Sequence, residues 1–485
     1  MRAPGEETVL GERPAARTAA PSTSAGFLPI FTESGPTDAP EYCVSLAHLE
    51  SLFGGRLADH PEGYDTADTA FHEGATGIYV KRIVGKNPVA ASKVLVDGEG
   101  KTVATAEAKY VGEYGNNLKV KVTVAGEEAT AVIETTAGQV LKSSGAKPTL
   151  KALIEWSEGT AIPVLLVAGE SEKLPKAQTI TLTGGTADLA NATATQLDEG
   201  LGLLAEDLGP GQVAIPNFAG DEAAQLVTMV HCGLRNRRAL LDDAIDADVA
   251  ELVAHGTALA PAEGDVARFA ALFGSWAIAP GLATGTTRTV PYSGVQMGLI
   301  ARSEAEGNGP GKAVAGSKRG KARWVIGLVK TFTKEERAEL SAAGVTCAIL
   351  KKGVPTTFDN RTLVDETTDP DWVGLSESRL IMGVRERTRQ VLEGFEFEDI
   401  DGHGYIFNDL AGEIGARACK PYYEADELYG ESPEEAFVVN TGPQINTPAS
   451  IEAEEIKAQV AVRAARTGRF LSAEVVKVPI SEEVA

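Results

Sequence analysis

The glycine–lysine pairs Gly100-Lys101, Gly311-Lys312 and Gly320-Lys321 are candidate places for this chain to cradle a phosphate. A phosphate loop needs a further glycine five residues earlier, so that consecutive backbone N–H groups curl around the anion. Leu95, Glu306 and Ala315 stand at those positions, so none of the three qualifies. Gly307-Asn308-Gly309 and Gly309-Pro310-Gly311 do not lie between a strand and a helix as a dinucleotide fingerprint requires. No serine sits in a G-x-S-x-G elbow. His48, His60, His72, His231, His255 and His403 lack metal-ligand spacing and read as structural. Asp242-Asp243, after a strand, offers paired carboxylates, but a strand-terminal Asp serves equally as a cap or turn residue. Cys43, Cys232, Cys347 and Cys419 are too dispersed for a zinc site or a disulfide framework and read as free thiols. No catalytic residue, cofactor or metal site is expected.

Charge is patterned more tellingly than chemistry. The segment 312–323 carries Lys312, Lys318, Arg319, Lys321 and Arg323 without an acid, and 457–470 carries Lys457, Arg463, Arg466 and Arg469 without one. Arg385, Arg387 and Arg389 lie along a helical stretch, whereas 424–435 holds six acids and no base. Several inversions of sign in one chain suggest complementary surfaces that meet in an assembly. Overall, Lys+Arg 45 against Asp+Glu 68 gives −23, which repels a phosphate backbone, so nucleic acid is not an expected partner. No run of 18 apolar residues exists, so no membrane insertion is expected. The charged N-terminal stretch lacks a signal-peptide core, which implies a cytoplasmic location in the producing cell.

The elements that must position these residues alternate in character. At 485 residues, with 43% hydrophobic content, the chain has room for about three domains of roughly 150 residues. Residues 1–25 hold one apolar piece, Val9-Leu10, and read as an N-terminal arm. The stretch 26–88 reads as strand, helix and strand, the first part of an α/β core. Residues 89–183 read as an inserted β-rich module: 119–124 alternates strictly, and DGEG, AGEE, TTAG and SSGAKP read as turns. The stretch 184–350 returns to strand–helix–strand, with a leucine stripe at 197, 201, 204 and 208, a helix at 221–235, and strands at 239–241 and 276–279. A C-terminal domain, 351–472, begins its helices at 376–392 and 408–419, and 473–485 reads as a strand arm. The fold class is therefore α/β, mixed with α+β, in several domains.

The chain ends supply a second pattern. Val476, Val478 and Ile480 share one face of 474–480, and Pro479 suits an edge or donated strand rather than a central one. Val460 and Val462 alternate in the preceding strand and offer a partner edge. Strand exchange between subunits through Val9, Leu10, Val460, Val462, Val476, Val478 and Ile480 is the expectation.

An ordered set of short motifs resembles the contractile tail sheath proteins of phages and related injection systems. Gly77–Ile83 is similar to the strand before the family's inserted module, and Gly112-Glu113-Tyr114-Gly115-Asn116-Asn117-Leu118 to its Gly-x-Trp-Gly-Asn-x-Leu, with Tyr for Trp. Leu182-Thr183-Gly184-Gly185, Trp276–Gly281, Val290-Pro291-Tyr292-Ser293-Gly294 and 369–380 follow in the family's order. The resemblance implies a structural subunit that polymerises as a helical sleeve around a tail tube and contracts to drive the tube through an envelope. It implies as partners further copies of the chain, the tube, and baseplate and tail-terminator proteins. Arg385, Arg387, Arg389, Lys318, Arg319, Lys321 and Arg323 are then expected to face the tube. The alternative is a soluble α/β enzyme with an unrecognised site.

Overall fold

The structure, a computed structural model, describes residues 23–159, 161–261 and 263–469. Its centre is a seven-stranded sheet in the order Val345–Thr346, Ala270–Phe273, Arg237–Asp242, Gly211–Ala214, Gly26–Ile30, Ile78–Arg82 and Glu41–Cys43. Neighbours are parallel except the last pair. The sheet draws on both sides of the β-rich insertion, and the seam lies where Gly26 meets Gln212. Parallel strands covered on both faces read as unbroken apolar runs, and Gly26–Ile30 and Ala270–Phe273 are buried throughout. Alternate residues serve opposite cores. Phe27, Leu241 and Leu272 face the helices Ala194–Gly202, Glu222–Leu234 and Val249–Leu259. Leu28, Leu240 and Phe273 face the helices Glu62–Glu73 and Tyr292–Ala305.

Those last two helices pack closely because glycine allows it. A Cβ on Gly298 would stand 2.4 Å from the Glu73 Cβ and 2.6 Å from the Ala70 carbonyl oxygen. Glu73, fully buried at the end of its helix, accepts the backbone N–H groups of Arg323, Trp324 and Val325 and pairs with Arg302 at 3.0 Å. Earlier in the same helix, Asp65 and Asp68 share Arg288. Ser293 N–H donates to the Asp242 carboxylate at 2.8 Å, which seats the start of the Tyr292–Ala305 helix at the end of a central strand. The motif around Val290–Gly294 therefore joins strand to helix.

The inserted stretch has its own core, from Ala91 to Leu182, between a three-stranded and a four-stranded antiparallel sheet. Its two connections are stapled together. Asn116 donates to the Gly185 carbonyl and accepts the Gly185 N–H, each at 2.9 Å, and Glu113 accepts the Ala187 N–H. A Cβ on Gly185 would meet the Gly112 carbonyl oxygen at 2.4 Å. The Gly-Glu-Tyr-Gly-Asn-Asn-Leu motif and the 184–185 turn thus form one device at the root of the insertion.

Three sequence expectations are corrected. The leucine stripe does not run as one helix to 208: the helix ends at Gly202, and Leu208 sits in a separate turn, Glu206–Leu208. The buried Arg237 guanidinium takes the Leu204 carbonyl at 2.8 Å, Ala205 at 2.7 Å and Gly209 at 3.1 Å, and a continued helix would have consumed those of Leu204 and Ala205. SSGAKP is no turn; strand Val140–Lys147 runs through it, with Gly145 at φ 64° near a shift in register. The helix placed at 408–419 begins at Tyr405, where the Asp401 carboxylate accepts the N–H groups of Tyr405 and Ile406, and gives way to a wide turn, Gly415–Cys419. Strands Ala348–Lys351 and Val354–Thr357 form a hairpin.

Burial lifts the Asp242 carboxyl to about 7, with Asp243 adding a smaller push in the same direction. Between the ordinary carboxylate range and that value the folded state binds more protons than the unfolded chain, so stability falls as pH rises through the window. Asp242→Asn is expected to change stability little near pH 4 and to raise it at pH 8, read as thermal melts at both. An equal difference at the two pH values would contradict this.

Candidate assembly site

The helix Leu375–Leu392 opens the C-terminal part and buries Leu380, Val384 and Val391 against the helix Tyr405–Ile414 and the residues after it. Its other flank is fixed to the central sheet by buried polar contacts. Arg238 Nε donates to the Ser378 carbonyl at 3.0 Å, Asn236 Nδ2 to the Met382 carbonyl at 3.0 Å, and Arg379 pairs with Glu304 at 2.5 Å. Arg238 and Arg379 are each 1% exposed, so removing a partner leaves a buried charge unpaired.

Two short strands, Phe437–Asn440 and Gln459–Val462, pair antiparallel from Phe437 opposite Val462 to Asn440 opposite Gln459. Among the described residues neither pairs with a third strand, so the sheet has two open edges. Val460 and Val462 are half-buried and face the helix Leu375–Leu392, while Gln459 and Ala461 are exposed. Between this sheet and the helix lie two grooves. One, of about 650 Å³, is lined by Trp372, Ile381, Tyr429 and Val462; the other, of about 400 Å³, by Val384, Leu392, Val460 and Val462. An apolar trough beside an open strand edge is the geometry that accepts an added strand: backbone groups bind it and alternate side chains enter the trough. Sequence reasoning found Val460 and Val462 but not Trp372, Ile381 and Tyr429. The signal was the doubling at Leu380/Ile381 and Val391/Leu392, which makes the helix stripe wider than one core needs.

The remaining candidates are dispersed. Val9, Leu10, Val476, Val478 and Ile480 lie outside the described residues. Arg385 is exposed, with Nη1 3.3 Å from the Gly233 carbonyl oxygen. Arg387 turns inward over the Tyr422 ring and donates to the Arg417 carbonyl, the acceptor that Pro421 leaves without a helical donor. Arg389 pairs with Glu386 and Glu393. In the other cluster Lys318 and Lys321 are exposed, Arg319 donates to the Ala313 carbonyl, and Arg323 pairs with Glu306 at 2.9 Å.

Two of the sign inversions meet inside the chain. Lys312 donates to the Asp426 carbonyl, and Gly311 N–H to the buried Glu427 carboxylate, both at 2.7 Å. Arg466 pairs with Asp371, and Arg469 with Glu366 at 3.4 Å. His231 is buried, and its ring, held down to about 3 by burial and Arg237, is neutral; Asp243 bonds His255 at 2.9 Å. No group of three or more His, Cys, Asp or Glu suited to a metal ion occurs among the described residues.

Neither a protein-family profile nor a curated protein sequence matches the chain. Solved structures do. A sheath tail protein from Desulfitobacterium hafniense aligns with TM-score 0.62 and 13% identity, over 90% of this chain and 93% of its own. One from Listeria innocua gives TM-score 0.61 and 13% identity, over 88% and 90%. The contracted helical sheath of the anti-feeding prophage gives 0.57 and 16%, over 98% and 99%. The chain has the tail sheath protein fold. The sheath fold thus extends over both the seven-stranded core and the C-terminal sheet, and the alignment takes in nearly the whole of each compared chain.

Proposed function

We propose that the protein is the structural subunit of a contractile tail sheath, which polymerises as a helical sleeve around a tail tube and contracts to drive the tube through a target envelope. The observation that carries this reading is the near end-to-end likeness to a helical sheath in its contracted state, joined to a C-terminal sheet with open edges beside an apolar trough. In the sleeve, Val476, Val478 and Ile480 of one subunit, and Val9-Leu10 of another, add strands to the Phe437–Asn440 and Gln459–Val462 pair. Contacts that do not close on themselves generate an open helix. Four or five donated backbone bonds at roughly 0.5–1.5 kcal/mol each link subunits while their bodies reorient. The shortening is a rigid-body switch from a metastable arrangement. Baseplate and tail-terminator proteins at the sleeve's ends, and a cytoplasmic site of assembly, belong to the same reading.

The proposal includes a tube-facing surface at Lys318, Arg319, Lys321 and Arg323, with Arg385, Arg387 and Arg389, against an acidic tube. The structure brings the Lys351-Lys352 turn beside the first cluster, since Lys321 bridges to Thr356 of that hairpin. Arg387 and Arg389 hold partners within the chain, so the test reverses Lys318, Lys321 and Arg385 to glutamate. Co-sedimentation with the tube is expected to fall at least tenfold at physiological salt, and unchanged co-sedimentation contradicts the tube-facing assignment.

A further inference from the structure

Gly309-Pro310-Gly311 binds no dinucleotide, and its glycines answer to a carboxylate instead. The loop lies directly on the side chain of Glu427: a Cβ on Gly309 would stand 1.7 Å from Glu427 Oε1, and one on Gly311 2.7 Å from Oε2. Gly311 N–H donates to Oε2 at 2.7 Å. The backbone of the same glutamate holds the end of the two-stranded C-terminal sheet. Ala465 N–H donates to the Glu427 carbonyl at 2.9 Å, and Leu428 bridges to Ala464, just beyond the strand Gln459–Val462. One residue therefore ties the loop, and the basic segment 312–323 that follows it, to that sheet.

This carboxylate is buried without a counter-charge. Glu427 is 2% exposed, and among the described residues it forms no ion pair. The groups that face it are committed elsewhere. Arg379, from the helix Leu375–Leu392, pairs with Glu304 of the helix Tyr292–Ala305, and Lys312, from the loop itself, spends its Nζ on the Asp426 carbonyl. Asp426 is exposed. Tyr422, from the short helix Lys420–Glu424, lies under Arg387 and is pushed up by burial to about 12, so it carries no charge. Burial lifts Glu427 above the ordinary carboxylate range; Gly311 N–H, Lys312 and Arg379 each pull the other way by less, and Glu304 adds to the lift. An ionised carboxylate kept from water in this way is relieved by a proton or by opening to solvent.

We propose that Glu427 is a proton-dependent latch: protonated, it keeps the loop 307–312 closed on the C-terminal sheet, and on losing its proton it lets the loop open to water while the sheet stays paired. The sign follows from linkage. The closed form binds the proton more tightly than the open form, in which the carboxyl is solvated, so closure is favoured at low pH and is lost as pH rises above the ordinary carboxylate range. The latch needs only the single chain and goes beyond the sleeve reading. Within a sleeve it sets whether the basic segment moves with the C-terminal sheet or apart from it.

The test is amide hydrogen exchange of the full-length protein, diluted to monomer, at pH 5 and pH 8, each rate taken relative to that of an unstructured peptide at the same pH. The Gly311 and Lys312 amides report on the loop, since Lys312 N–H donates to the Gly309 carbonyl at 3.2 Å. Their protection is expected to fall at least about tenfold between the two pH values, the effect of one pKa unit between closed and open forms, while that of the Ala465 amide holds. In Glu427→Gln, which keeps an acceptor oxygen for Gly311 and cannot ionise, the fall is expected to vanish. In Asp242→Asn it is expected to persist, which separates the latch from the titration at the start of the Tyr292–Ala305 helix. Constant protection in the unmodified chain, an undiminished fall in Glu427→Gln, a fall abolished by Asp242→Asn, or a parallel loss at Ala465 would each overturn the inference, and each would leave the sleeve reading standing.

Discussion

Deletion of residues 474–485 is expected to abolish sleeve formation while leaving the subunit folded. Among the described residues the cores close with Ala464, and the subunit is expected to keep its fold without 474–485. The deletion does remove Val476, Val478 and Ile480, the alternating face proposed to enter a neighbour's trough. Each such side chain, fully buried, contributes about 1.5–3 kcal/mol, and the strand's backbone bonds add roughly 0.5–1.5 kcal/mol each. Losing that at every link of a helical polymer raises the concentration needed for assembly by orders of magnitude. Sedimentation and negative-stain imaging read the outcome, with circular dichroism as the check on folding. Sleeves of normal yield from the shortened chain would contradict the assignment of 474–480 as a donated strand.

Glu73→Ala is expected to be the most damaging single substitution in the core, lowering stability by about 3–5 kcal/mol. Glu73 is 1% exposed, and its carboxylate joins three parts of the chain: its own helix, Arg302 of the Tyr292–Ala305 helix, and the backbone of 323–325. Alanine would leave the Arg302 guanidinium, itself only 12% exposed on its side chain, and three backbone N–H groups without their acceptor. The space under Gly298 would not close, since the two helices already touch there. Glu73→Gln keeps volume and one acceptor and is expected to cost less. A loss below about 1 kcal/mol for alanine in chemical denaturation would contradict this account.

How much of this was legible beforehand depends on whether the cause is local. The strand that opens 26–88, the helix placed at 221–235 and the alternation in 119–124 are written in short-range pattern, and the structure has them at Gly26–Ile30, Glu222–Leu234 and Leu118–Ala125. The failures have distant causes. Leu208 leaves its helix because Arg237, on a strand, takes the Leu204 and Ala205 carbonyls. Arg387 is drawn inward because Pro421, on another helix, strands a carbonyl. Charge runs were read as surfaces for other molecules, yet Lys312 and Arg466 meet acceptors within the chain that no spacing rule connects. Of the candidate site, Val460 and Val462 were visible as alternation, whereas the wall opposite them, Trp372 and Ile381, required knowing how the helix crosses the sheet.

The central claim is that this chain builds a sleeve, and electron cryomicroscopy of the purified full-length protein tests it most directly. The account expects hollow helical tubes in which each subunit's two-stranded C-terminal sheet has gained strands from its neighbours. Monodisperse single subunits at every concentration and salt tried, or filaments whose C-terminal sheets remain two-stranded, would contradict it.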